Sequence, residues 1–188
     1  SGVTASLSGM ALVNGSAPGG GGAIFNQGVL TVTDSTLAGN HASFGGGGIL
    51  NDQSATLSVT DSTFSGNSAS GNFGDDGGAI YNHVSATATL TNCTVADNFA
   101  SYGGGGILNN ALATLTLTSC TISGNSVTDY AGGGIWNTGG TLTVTNSILS
   151  GNVSNFGPNV SGSVVSNGHN LIGNDTGMFL AWSGLPVK

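Results

Sequence analysis

A five-residue block closing in asparagine occurs five times along the chain, each copy followed by a second block that also closes in asparagine. The first block reads Gly22-Ala23-Ile24-Phe25-Asn26 and returns at 47–51 (GGILN), 78–82 (GAIYN), 105–109 (GGILN) and 133–137 (GGIWN). The second runs over 30–40 (LTVTDSTLAGN), 57–67 (LSVTDSTFSGN), 88–98 (ATLTNCTVADN), 115–125 (LTLTSCTISGN) and 142–152 (LTVTNSILSGN). Its closing residues Asn40, Asn67, Asn98, Asn125 and Asn152 are 27, 31, 27 and 27 positions apart. A unit this short cannot bury its own apolar face, so it must stack on copies of itself.

The alternation inside each unit says how. In LTVT the leucine and valine point to one side and the threonines to the other, the period of two of a strand. The Asp, Asn or Ser that follows breaks the alternation and turns the chain, and Gly-Asn makes a further corner. The spacing predicts an all-β fold, a single-stranded parallel β-helix of about 27 residues per coil and roughly six to seven coils. Its inward columns are Ile24/Ile49/Ile80/Ile107/Ile135, Leu30/Leu57/Ala88/Leu115/Leu142, Val32/Val59/Leu90/Leu117/Val144 and Leu37/Phe64/Val95/Ile122/Leu149.

The whole chain, 1–188, reads as one solenoid domain: a degenerate first coil over 1–17, five regular coils over 18–152, and an irregular last coil and tail over 153–188. Two asparagine columns, Asn26/Asn51/Asn82/Asn109/Asn137 and Asn40/Asn67/Asn98/Asn125/Asn152, are expected to form structural ladders whose amides hydrogen-bond from coil to coil.

Composition narrows the function. All eight acids are aspartates, the only basic residue is Lys188, and the net charge is −7. Nucleic acid as a partner is thereby set aside, since phosphate contacts need cations. No apolar run approaches the ~20 residues of a membrane span. With no glutamate and a single lysine, the chain also lacks the usual residues of surface helices.

Gly-Gly-Ala-Ile together with Phe64-Ser-Gly-Asn67 resembles the repeat of polymorphic outer-membrane proteins. Residues 19–40 (GGGGAIFNQGVLTVTDSTLAGN) and 157–174 (GPNVSGSVVSNGHNLIGN) resemble bacterial secreted right-handed parallel β-helix proteins, among them those of the choice-of-anchor type. The resemblance covers about residues 10–176. It implies a right-handed coil and a secreted or cell-surface location in a bacterium, with surface proteins, adhesins and stalks as the functional background.

Polysaccharide lyases and polygalacturonases share the fold class, so catalysis has to be weighed. Lyases of this architecture use clustered aspartates and a basic residue, and this chain has no arginine. Asp34 and Asp61 stack in one column, but Asn92, Ser119 and Asn146 continue it, which marks the column as turn-forming. Asp75-Asp76 is the one acidic pair and reads as a solvated loop, with a weak calcium site as the alternative. His41, His83 and His169 show no metal-ligand spacing. Cys93 and Cys120 replace the inward Ser35, Ser62 and Ser147 and read as buried free thiols, although neighbouring coils also permit a disulfide. The expectation is therefore a protein without enzyme activity, cofactor or metal.

Two outward features are candidate contact surfaces. One is the Thr-x-Thr face made of Thr31, Thr33, Thr60, Thr89, Thr91, Thr116, Thr118, Thr143 and Thr145, with Ser58 completing the array. It is similar to the ice-binding face of β-solenoid antifreeze proteins. The other is the stripe Phe25/Leu50/Tyr81/Leu108/Trp136, expected outward and available to a glycan or a host or surface protein. The ends lack an evident cap, and open coil edges template further strands. That leads to an expected partner in the chain itself, stacked head to tail as a filament.

Overall fold

A computed structural model describes residues 2–71 and 76–173. Every regular element among them is a strand, and every pairing is parallel. Coils two to five each contribute short strands to four sheets, and the coils at either end to three. Coil two shows the order: Ile24–Asn26, Val29–Thr33, Thr36–Ala38 and His41–Ala42. The four sheets hold six, seven, seven and five strands respectively.

Register is kept residue for residue. Ile80 pairs with Ile49 on one side and Ile107 on the other, and Leu90 with Val59 and Leu117. Two inward columns are accordingly sealed: Val32, Val59, Leu90, Leu117 and Val144 are fully buried, as are Leu37, Phe64, Val95, Ile122 and Leu149. A Phe64→Ala change would open a cavity in this dry column, at a cost of about 3–5 kcal/mol.

Two corners of each regular coil use a left-handed residue. Asp34, Asp61, Asn92, Ser119 and Asn146 have φ between 48° and 55°, so the column of mixed Asp, Asn and Ser has a single backbone task. Asp and Asn tolerate that region better than other side chains do. A second corner column, Asn14, Gly39, Gly66, Asp97, Gly124 and Gly151, has φ between 55° and 71°.

Both asparagine ladders are present. In the first, the Nδ2 of Asn26 donates to Asn51 Oδ1 at 2.7 Å, Asn51 to Asn82 at 2.8 Å, Asn82 to Asn109 at 2.8 Å and Asn109 to Asn137 at 2.9 Å. In the second, Asn40, Asn67, Asn98 and Asn125 donate in the same way to Asn67, Asn98, Asn125 and Asn152, at 2.8–2.9 Å. All ten amides are buried, from 0 to 7 % exposed. Buried amides without partners would each cost about 1–3 kcal/mol. The ladders place every one of them against the next coil.

The second ladder has a rung that repeat spacing does not mark. Asn152 donates to the Oδ1 of Asn159, seven residues on, at 3.0 Å. The coil that follows is cut short, and its strands at Val160–Ser161, Val165–Ser166 and Leu171–Ile172 still pair with the coil before.

Between the asparagine ladders runs a third, made by the small inward column. The backbone N–H of Met10 donates to Ser35 Oγ, Ser35 to Ser62 Oγ, and Cys120 to Ser147 Oγ, all at 3.0–3.1 Å. Cys93 and Cys120 take the same column position in the two coils between Ser62 and Ser147.

Candidate contact surfaces

The threonine face is broader than its Thr-x-Thr signature. Strand pairing places Thr31, Ser58, Thr89, Thr116 and Thr143 in one row across the coils and Thr33, Thr60, Thr91, Thr118 and Thr145 in the next. A third row, Val29, Thr56, Thr87, Thr114 and Thr141, lies on the same face, and Thr4, Ser6 and Ser8 of coil one add a rung to all three. The signal for that row was in the sequence, one alternation upstream of each LTVT. Rows repeat at about 4.8 Å from coil to coil and about 6.6 Å along each strand. None of these positions is charged. The nearest acids, Asp34 and Asp61, stand at the corner beside Thr33 and Thr60.

The aromatic and leucine stripe corrects the sequence expectation. Leu50, Tyr81 and Leu108 are 6 %, 0 % and 0 % exposed, and Trp136 packs against them half-buried; Phe25 alone is open, at 52 %. These side chains do leave the main core, as alternation requires. They then meet the glycine-rich loops, which fold back over them. A Cβ on Gly20 would lie 2.5 Å from Leu50 Cδ2, and one on Gly103 would lie 2.2 Å from Trp136 Cε3. Glycine at these two positions lets main chain lie directly on the stripe. The result is a second, smaller core.

Other aromatic rings reach the surface in its place. Tyr102 stacks on Tyr130 with centroids 5.3 Å apart and planes 16° from parallel, and Tyr130 meets Trp136 at 5.3 Å and Phe156 at 6.0 Å. Phe44, Tyr130 and Phe156 are between 41 % and 57 % exposed. They sit in irregular loops where no alternation announces which way a side chain points.

Five of the acids, Asp34, Asp52, Asp61, Asp76 and Asp97, are occupied by local structure. Asp34 and Asp61 hold left-handed corners, and Asn92 donates back to Asp61 in the preceding coil. Asp97 holds a corner of the second column. Asp52 accepts hydrogen bonds from Gln27 Nε2 and His83 Nδ1, each at 3.1 Å. Burial raises its pKa, but the hydrogen bonds from Gln27, the Gln53 backbone and His83 outweigh this and leave the carboxyl below its ordinary value. Asp76 is a correction: it is fully buried, with Oδ2 accepting the Tyr102 N–H at 2.7 Å, because that corner turns a backbone donor inward. Asp75 lies outside the described residues.

The histidines are apart: His41 bonds Ser68 at 3.0 Å, His83 bonds Asp52, and His169 forms a corner with φ 56°. Among the described residues no three His, Cys, Asp or Glu side chains gather as a metal site. Cys93 and Cys120 are free thiols, each 2 % exposed. The adjacent Cys120 thiol, followed by burial, pushes the Cys93 thiol far above its ordinary value.

Along the edge of coil one a cleft of about 560 Å³ opens between Gly2–Leu7 and Ile24–Leu30, with Val3, Ala5, Leu7 and Phe25 in its wall. No helix among the described residues is long and apolar enough to cross a membrane.

Among known families, a sequence model described as the right handed beta helix region matches residues 6–177. Searches of curated proteins and of solved structures found no match.

Proposed function

The chain belongs to the right-handed β-helix family, and from that premise we propose that it is a non-catalytic, extracellular structural solenoid that meets its surroundings through its outer sheets. The carrying observation is that its buried polar side chains and its corner residues are committed to holding one coil on the next. Ten asparagines, the serine and cysteine column and the corner aspartates all have structural partners or backbone tasks. Bacterial secretion and a role in a surface adhesin or stalk rest on the likeness of the Gly-Gly-Ala-Ile and Phe-x-x-Asn motifs to surface-protein repeats. Incubation with neutral and acidic polysaccharides, followed by measurement of new chain ends, tests the reading. No turnover is expected, and turnover abolished by Asp34→Asn or Asp61→Asn overturns it.

Self-association into filaments is the finer form of this reading. It is supported by sparse charge, which leaves little repulsion between copies, and by the apolar cleft along coil one. Sedimentation over a wide concentration range tests it; monomers throughout would reject it.

A second reading, ice binding, is favoured by one observation: three uncharged rows of mostly threonine in register across the coils. Such a face offers hydroxyls and methyls on a regular grid. Ice binding predicts thermal hysteresis that Thr91→Glu with Thr118→Glu removes, while Thr63→Glu on the neighbouring sheet leaves it.

A further inference from the structure

Cys93 and Cys120 are the only cysteines, and they occupy the same position of adjacent coils. Thr91 pairs with Thr118 and Thr94 with Thr121, so the two cysteines between them lie one above the other. The Thr121 N–H donates to the Cys93 carbonyl at 2.9 Å, which fixes that stacking on the backbone. Neighbouring strands stand about 4.8 Å apart, inside the roughly 4.4–6.8 Å of Cα separation that a disulfide accepts. Both side chains point into the interior, where their thiols make equivalent contacts with backbone carbonyls: Cys93 Sγ donates to the Thr91 oxygen at 3.2 Å and Cys120 Sγ to the Thr118 oxygen at 3.3 Å. The column holds serine in three other coils, at Ser35, Ser62 and Ser147, so packing alone does not call for sulfur.

We propose that Cys93 and Cys120 are a covalent modification site, closed as an inter-coil disulfide by thiol–disulfide exchange with a low-molecular-weight disulfide while the chain folds. The thiolate of one cysteine attacks the small disulfide and releases one small thiol. The second cysteine, as thiolate, attacks the mixed disulfide and releases the other. Two protein thiols are oxidised, one small disulfide is reduced to two thiols, and the proton count balances. Exchange belongs to the folding chain because each thiol is only 2 % exposed once the coils close. The same burial then shields the bond from reductants. This inference stands independently of the function proposed above.

The test is refolding of the full chain from denaturant, with oxidised and reduced glutathione in one sample and excess reductant in the other. Each is then alkylated in denaturant without reduction, and the intact mass is measured. The oxidised sample should take up no alkyl group, weigh two hydrogens less, and melt roughly 5–10 °C above the reduced sample, given the long loop closed. Cys93→Ser with Cys120→Ser, which extends the serine column, should melt alike in both buffers. Two alkyl groups on the oxidised sample, a disulfide found only between chains, or a bond that leaves melting unchanged or lower would each overturn the proposal. Should the double serine variant fail to fold, the mass and melting of the natural chain still decide.

Discussion

Asn67 reaches Asn98 twice: its backbone N–H and its side-chain Nδ2 both donate to the Asn98 Oδ1, each at 2.9 Å. Asn98 in turn donates from Nδ2 to the carbonyls of Phe64 and Ala96 and to Asn125 Oδ1. One buried amide thus serves five hydrogen bonds spread over three coils.

Replacing it by alanine strands donors on one side and acceptors on the other, and should cost about 3 kcal/mol or more in denaturant unfolding. Asn98→Asp is a sharper probe. Its carboxylate would face two carbonyls and an amide oxygen, so its folded pKa is raised. The variant should be less stable at pH 7 than near pH 4, since the penalty grows as the buried acid ionises.

Leu112 has φ 61° and is 76 % exposed, so its side chain gains little from packing while its backbone is strained. Coils before it use Ser54 and Ser85 in the same conformation. Leu112→Gly or Leu112→Asn should raise stability by about 1 kcal/mol, read as a higher midpoint in urea.

Tyr81 belongs to the small core under the glycine-rich loops. Tyr81→Ala should therefore act on folding, costing about 3–5 kcal/mol in unfolding experiments. Gly103→Ala should destabilise as well, because the added methyl displaces the Trp136 ring. Unchanged stability in both would mean that the loops do not lie on the stripe.

Asp52 gives the protein a modest acid sensitivity. Its folded pKa lies below the ordinary 3.8, so the unfolded chain binds that proton more tightly. Its stabilising contribution is complete above pH 3.8 and is lost as pH falls through the lower folded value. Asp52→Asn should flatten the loss of stability below pH 4, measured as denaturation midpoints between pH 5 and 2.

The columns were legible because a repeated unit multiplies every signal. One Ile-x-Asn says little, but five in register fix Ile24, Ile49, Ile80, Ile107 and Ile135 on one face and the asparagines at a corner. What alternation could not supply was the path of the chain outside the strands. It placed Leu50, Tyr81 and Leu108 opposite Ile49, Ile80 and Ile107, which is correct, and equated that with exposure, which is not. The covering layer is main chain carrying glycine, with no side-chain pattern to read. Asn159 escaped for a related reason: its amide arrives from a different corner, and only geometry reveals that it takes the place of the missing next asparagine.

The coil between Asn67 and Asn98 has 31 residues where its neighbours have 27, yet Ser68 still faces Phe99 and Ile80 still faces Ile107. The added length between Asn67 and Ile80 leaves the pairing on either side of it unchanged. Foreign peptide could be spliced there, one tier at a time, and the scaffold would display successive inserts at a set pitch.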